Sequence, residues 1–364
     1  MSQVRCFLHT HTTHSITLMH SLPGGGFGFH TRYAGLLCDR MISLEAVIPD
    51  TAEIIHATKD NKHSELLWAA CGGGGGNYAA VTKFTYEMMP ICVVPSCKVI
   101  QLNHSMTQTL ERLLYFQDWS LRVDPRITAN WEIGSGNIAT IAGIWMGSLA
   151  EFNLALQHSG LDETTPFTLQ DLLDSATEVD YTQALINLNG WKDVEYADSL
   201  TPDFIADRSF FQYLSFFLLE SLPREAMVLL MNESNYFNGN DSLVYEFQTL
   251  GGNASGTGIP DAMGYRWPNN FSSVDPTSTA FPHRNARHCL MFKANSATQE
   301  GFGPLAVKMR EVYEQVAPYV RGQSPYYNHM DTVRACALLM NSLCCVYSRC
   351  SACAVSYPVA RSPT

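Results

Sequence analysis

Two glycine clusters give this sequence its clearest capacity for chemistry: Gly24, Gly25, Gly26 and Gly28 in SLPGGGFGFHTRYAGLLCDR, and Gly72 to Gly76 with Asn77 in CGGGGGNYAAVTKF. Glycine weakens a helix or strand by roughly 0.5–1 kcal/mol relative to alanine, so a cluster marks positive φ angles or close approach of the backbone to something bulky. The N–H groups of such a loop can cradle a diphosphate. Two nucleotide fingerprints fail, however. Neither cluster carries the G-x-x-x-x-G-K-[ST] register of a phosphate loop, and GGGFGF has neither G-x-G-x-x-G spacing nor a preceding strand. Cofactor cradle and tight packing turn both stay open on spacing alone.

Metal chemistry finds less support. His9, His11, His14 and His20 stand together without a carboxylate or cysteine to complete a ligand set, as polar residues of a chain end do. Of the 11 cysteines, Cys336, Cys344, Cys345, Cys350 and Cys353 crowd the end of the chain, and the odd total leaves one thiol unpaired in any intramolecular scheme. Cys350-Ser-Ala-Cys353 is a single CxxC with no second ligand pair at zinc spacing.

The bulk composition narrows the classes further. A chain of 364 residues with 46% hydrophobic and 16% charged residues can build two domains and a substantial core. A net charge of -11 with no Lys/Arg cluster argues against nucleic acid or an anionic membrane as partner. The most apolar run, between Ser209 and Met231, is broken by Gln212, Glu220, Pro223, Arg224 and Glu225, short of the roughly 20 residues of a membrane span. The first 20 residues show no apolar signal-peptide region, yet N-x-S sequons at Asn103, Asn232, Asn240, Asn253 and Asn270 lean toward a secreted, glycosylated protein.

Positioning the glycines requires regular elements on either side. RMISLEAVIPD and AAVTKFTYEMMP read as strands with a helical DNKHSELLWAAC between them, so both glycine clusters fall at element junctions. A helix is expected over SMTQTLERLLYFQDWSL, strands over RITANWEIGSG and IATIAGIWMGS, and a helix over LAEFNLALQHSGL. From TLQDLLDSATEVDYTQALINL to REAMVLLMNESNYF the pattern is mainly helical; LVYEFQTLGGNASG and ARHCLMFKANS then read as strands, and GPLAVKMREVYEQVAPYV as an amphipathic helix. The class is α+β.

The series GGGFGFHTRYAGLLCDRMISLEAVIPD and HSELLWAACGGGGGNYAAVTKFTYEMMP resembles the second half of the flavin domain of berberine-bridge-enzyme-like oxidases, which are PCMH-type FAD proteins of the vanillyl-alcohol-oxidase kind. FQDWSLRVDPRIT, IAGIWMGSLAEF, GGNASGTGIPDA, TAFPHRNARH and SPYYNHMD are similar, in order, to blocks of that family's substrate domain. The resemblance covers about residues 21 to 331. It implies a partial FAD-binding domain over 21–95, a substrate domain with an antiparallel sheet and flanking helices over 96–300, and a segment returning to the flavin over 301–331. Residues 1–20 and the Cys-rich 332–364 are divergent.

The activity implied is hydride transfer from an alcohol, sugar or secondary metabolite to FAD, with oxygen as acceptor; the alternative is a degenerate, non-catalytic relative that acts by binding. Matching the family's motifs assigns flavin contacts to Gly24, Gly25, Gly26, Gly28, Gly73, Gly74, Gly75, Gly76, Asn77, Val81 and Asn328. It assigns substrate contacts to His283, Arg284 and Tyr327, and catalysis to Tyr326 and His329. For Arg284, closing a sheet against a loop is an equal reading.

Several positions depart from the family. His329 stands where a tyrosine base is usual, and a neutral imidazole accepts a proton near pH 7 with less tuning than a phenol needs. Thr13 stands where a cysteine binds flavin covalently, the attachment histidine belongs to an earlier flavin subdomain without a counterpart here, and Ala79-Ala80 replaces Gly-Val. FAD is therefore expected to bind without a covalent bond, and surface left open in the flavin domain to favour self-association.

Overall fold

The computed structural model describes residues 24–74, 78–87, 97–134, 138–147, 149–189, 210–233, 241–255, 275, 277–321 and 325–326. A short helix α1 (Thr31–Ala34) and a 3-10 turn (Leu37–Arg40) lead into β1 (Met41–Val47), β2 (Ile54–Thr58), α2 (Ser64–Ala70) and β3 (Ala80–Tyr86). These three strands form an antiparallel sheet in the order β2-β1-β3, with Leu44 opposite Ala57 on one side and Phe84 on the other. Alternation along β2 buries Ile55 and Ala57 on the inner face and exposes Ile54 and His56, as a half-covered strand does.

The second sheet is larger. It contains β4 (Cys97–Ser105), β5 (Ile127–Ile133), β6 (Ile138–Trp145), β7 (Ala176–Val179), β8 (Phe210–Leu218), β9 (Ser242–Thr249) and β10 (His288–Ser296), all antiparallel, in the order β7-β4-β6-β5-β9-β10-β8. The α+β class with a large antiparallel sheet agrees with the sequence.

One face of this sheet is packed by helices. α3 (Met106–Arg122) turns Leu113, Phe116 and Trp119 inward, and α8 (Gln299–Val316) turns in Leu305, Met309, Val312 and Val316, the i, i+4, i+7, i+11 spacing of a single helical face. α4 (Leu149–Gln157), α5 (Leu169–Ser175) and α7 (Arg224–Glu233) add to this layer, whereas α6 (Tyr181–Asn189) packs Ala184 on the other face with Phe29, Ile144 and Met146. α5 begins with a reciprocal cap: Thr168 Oγ1 accepts from Asp171 N at 3.1 Å, and Asp171 Oδ2 accepts from Thr168 N at 2.7 Å. Trp119, Trp131 and Trp145 are fully buried in this core. Each large apolar side chain so buried contributes on the order of 1.5–3 kcal/mol.

The opposite face of the large sheet receives the first unit. A second core joins Phe27, Leu36, Met41, Leu44 and Leu67 of that unit to Phe217, Leu250, Cys289 and Met291 of the sheet. This double coverage explains where the sequence misleads. β8 lies in the region expected to be mainly helical, because from Leu214 onward it is buried on both faces and so loses the alternation that distinguishes a strand. β2, β4 and β7 are further strands that the sequence pattern does not announce. Helix α7 is described to Glu233, and the SNYF that its pattern includes lies outside the described residues. Among the described residues no helix is long and apolar enough to cross a membrane, and no group of His, Cys, Asp or Glu could hold a metal ion.

Candidate functional site

Both glycine clusters converge on one residue, Phe281. Gly25 (φ 101°) and Gly26 (φ 71°) turn the first loop back so that their carbonyls accept from Cys38 N at 3.0 Å and Leu37 N at 2.8 Å, which staples the loop to the 3-10 turn. A Cβ on Gly25 would lie 2.6 Å from Phe281 Cδ2, and one on Gly72 (φ 97°) 2.6 Å from Phe281 Cα. At Gly26 it would lie 2.6 Å from Leu37 Cβ, and at Gly73 2.5 Å from Ala69 O. The packing alternative thus accounts for these four glycines within the protein itself. Gly28 donates its N–H to Thr31 Oγ1 at 2.6 Å. Gly24 is buried at the start of the described chain, Gly74 has a φ of 100°, and Val81 is half-buried on β3. Gly75, Gly76 and Asn77 lie outside the described residues.

Around Phe281 the structure gathers aromatic rings from four distant parts of the sequence. Phe27 of the glycine loop lies 4.5 Å from the Tyr326 ring and 6.0 Å from Phe217, and Phe217 lies 5.9 Å from Tyr326 and 5.8 Å from Phe281. His283 stacks on Phe217 at 4.0 Å and 19°. Burial draws the His283 pKa down to about 4, so the ring is neutral at pH 7. Tyr326 is buried, with its N–H donated to Ser215 Oγ at 3.0 Å. Tyr327, Asn328 and His329 lie outside the described residues.

Arg284 is committed inward. Its Nη1 and Nη2 donate to both oxygens of Asp39 at 2.9 and 2.5 Å, and further to Ala254 O at 3.1 Å and Thr279 Oγ1 at 2.5 Å. Burial works against the guanidinium charge, but the Asp39 bond and charge outweigh it and raise the pKa. Asp39 also accepts from Leu36 N at 2.8 Å. The geometry is that of a clasp between the 3-10 turn of the first unit and the loop before β10, the closing role allowed for this arginine by the sequence.

The polar floor of the site escaped sequence reasoning. Along β5 and β9, residues 127, 129, 131 and 133 and residues 243, 245 and 247 join the helix-packed core. Thr128, Asn130, Glu132, Glu246 and Gln248 therefore occupy the opposite face. There Glu246, nearly fully buried, accepts from Gln248 Nε2 at 3.0 Å and Asn130 Nδ2 at 3.4 Å and forms an ion pair with Lys293 of β10. Burial opposes the Lys293 charge, but Glu246 and Glu132 together hold its pKa above the ordinary lysine value. Toward the far end Tyr213 stands opposite Lys293, and Phe211 is 62% exposed and 5.6 Å from Tyr213. The signal was present as polar residues at alternate positions in VYEFQ, which places Glu246 and Gln248 on one face.

The aromatic rings of this face pack on one another within the second core, and beside them lie a paired carboxylate and ammonium, Glu246 and Lys293, and the buried Thr128 Oγ1, which has no hydrogen-bond partner among the described residues. The corners at Gly25, Gly26 and Gly72, by contrast, are filled by the protein.

No family model matches the chain. It is 32% identical over 157 residues to an uncharacterized FAD-linked oxidoreductase, YgaK, of Bacillus subtilis, covering 40% of this chain and 34% of that protein. A glucooligosaccharide oxidase of Sarocladium strictum is 30% identical over 37% of this chain and 26% of its own length. Berberine bridge enzyme-like 12 of Arabidopsis thaliana is 25% identical over 85% of this chain and 55% of its length. The chain thus spans between about a quarter and just over half of these relatives. Among solved structures, Phl p 4, a grass pollen allergen with glucose dehydrogenase activity, superposes with a TM-score of 0.68 at 16% identity, over 86% of this chain and 59% of that one. Berberine bridge enzyme from Eschscholzia californica gives 0.64 at 21% identity, over 85% of this chain and 58% of its own. The relatives are FAD-linked oxidoreductases and berberine-bridge-enzyme-like proteins, and the fold is theirs.

Proposed function

We propose that the chain serves an FAD-dependent oxidase that takes a hydride from a hydroxyl-bearing carbon of a sugar or comparable small alcohol, with oxygen as the final acceptor. The observation that carries this reading is the meeting of Phe27, Phe217 and Tyr326, which joins the glycine loop, the sheet face and the return segment at one junction. In this reading Gly24, Gly74 to Asn77, Val81 and Asn328 hold the cofactor, while Glu246, Gln248, Lys293 and Tyr213 meet the substrate's hydroxyls alongside His283 and Tyr327. Arg284 holds the loop that carries His283. The flavin, when bound, supplies the hydride acceptor. His329 accepts the hydroxyl proton on an imidazole nitrogen, and the aromatic wall keeps water from the reacting carbon. With Thr13 where the family's cysteine stands, no thioether to the flavin forms in this reading. The five sequons support a secretory route, and the exposed Ile42 and Ile54 of the first unit support self-association.

The test is reconstitution with FAD followed by anaerobic addition of glucose or maltotriose. Bleaching of the flavin band and its recovery with peroxide formation on admitting air are expected; flavin that binds but is never reduced by any alcohol rules out the oxidase reading. Phe281, which fills the glycine corners, favours the second reading, a non-catalytic relative. Failure of FAD to bind at all would select it.

A further inference from the structure

We infer that Ser215 is a positioning residue, which fixes the register of the return segment at Tyr326 and so the reach of the residues that follow it. The catalytic consequence rests on the oxidase reading; the positional claim does not. β8 reads FFQYLSFFL, and Ser215 is its one small polar side chain, fully buried among phenylalanine and leucine. A hydroxyl in such surroundings is unfavourable unless it is bonded.

Ser215 is bonded to three elements. Its Oγ accepts from Tyr326 N at 3.0 Å, across 111 positions of sequence. Its side chain also hydrogen-bonds Cys289 of β10, opposing the rise that burial imposes on the thiol pKa, and its carbonyl accepts from Tyr313 Oη of α8 at 3.5 Å. The Tyr326 ring is meanwhile packed against Phe27 and Phe217. Slipping the segment by one residue would break the Ser215 bond and turn this ring out of its pocket together. Chain geometry then limits His329, three residues on, to within about 11 Å of the Tyr326 Cα. A hydroxyl on the sheet thereby fixes Tyr326, the point from which the chain toward His329 departs.

Hydrogen exchange resolved at the Tyr326 amide tests the position, and flavin reduction tests its consequence. In the wild-type chain this amide should exchange on the order of 100-fold more slowly than in an unstructured peptide. Ser215→Ala should speed it about 10-fold or more, as loss of one buried hydrogen bond does. Ser215→Thr, which keeps the acceptor, should preserve the protection, and Ser120→Ala, a buried hydroxyl bonded to His288 instead, should leave this amide unchanged. In the FAD-loaded chain with saturating maltotriose, Ser215→Ala should slow flavin reduction about 10-fold and shift the pH midpoint of that rate, with FAD affinity unchanged. An unprotected Tyr326 amide in the wild type, or equal protection in Ser215→Ala, overturns the inference, and the wild-type measurement decides it even if the alanine variant fails to fold. If exchange follows the expected pattern but flavin never binds or never bleaches, the oxidase reading falls and the role of Ser215 at Tyr326 stands.

Discussion

His288 is fully buried, with Nε2 3.0 Å from Ser120 Oγ and no hydrogen-bond partner for Nδ1 among the described residues. Burial, followed by the charges of Arg287 and Arg32, draws its pKa down to about 3, and burial draws that of His30 to about 4. Both are neutral in the folded protein, whereas an unfolded histidine takes up a proton near pH 6.5. The unfolded state therefore binds more protons below that pH, so stability is full above it and falls as pH drops toward 4. Each residue should remove about 2 kcal/mol between pH 7 and pH 5. Urea midpoints at the two pH values measure this, and His288→Gln should flatten the slope; an unchanged slope would show that the residue titrates normally. At Asp39 the sign is simpler. Removing this buried carboxylate leaves Arg284 charged and unpaired, so Asp39→Ala should cost about 3–5 kcal/mol, and adding Arg284→Met should recover part of it. Strictly additive losses in the two variants would mean that the pair is not coupled.

The loops around Phe281 show, at the level of elements, what one sequence can and cannot disclose. GGG and CGGGGG announce that the backbone must turn where a Cβ is unwelcome; they do not say whether a ligand or a phenylalanine far along the chain does the excluding. Here Phe281 excludes it at both corners, by its ring at Gly25 and by its backbone at Gly72. Alanine at either position should cost about 2–4 kcal/mol, from the left-handed backbone and the overlap together. A Phe281→Ala background should relieve part of the Gly25→Ala cost and none of that at Gly72, since Phe281 Cα and N stay where they are. Double-mutant cycles by thermal melts give both couplings, and equal coupling at the two glycines would contradict this division. The order of helices and strands around β1, β3, α3 and β5 was legible because those elements show one apolar face at a recognisable period. β8 was not, being apolar on both faces, and the Glu246 row was overlooked because its meaning depends on Asn130 and Lys293 in strands far away in sequence.

Across the whole molecule, Arg32 ties the first unit to α3 and β5 of the second. It sits fully buried on α1, and its Nη1 donates to Ile127 O at 2.7 Å while Nη2 donates to Leu121 O and Val123 O at 2.9 Å each. Leu121 lies in the last turn of α3, where carbonyls lack partners within the helix, so an arginine from the first unit completes a helix end of the second. Burial lowers its pKa to about 10 against the raising effect of Asp124, which leaves it charged at pH 7. The Arg284 clasp and the shared core around Phe217 add two further ties across the same boundary. Among the described residues the first sheet has three strands, and its buried side chains share one core with the large sheet, so its stability is borrowed through these ties. The two sheets should therefore open as one cooperative unit, with slow-exchanging amides of β1 and β5 giving the same opening free energy in hydrogen exchange. Arg32→Met should break that equality: the three carbonyls lose their donor, and β1 should exchange through an opening about 2 kcal/mol or more easier than that of β5. A wild-type chain in which β1 already exchanges far more readily than β5 would show that the first sheet opens independently, and that Arg32 serves the helix end alone.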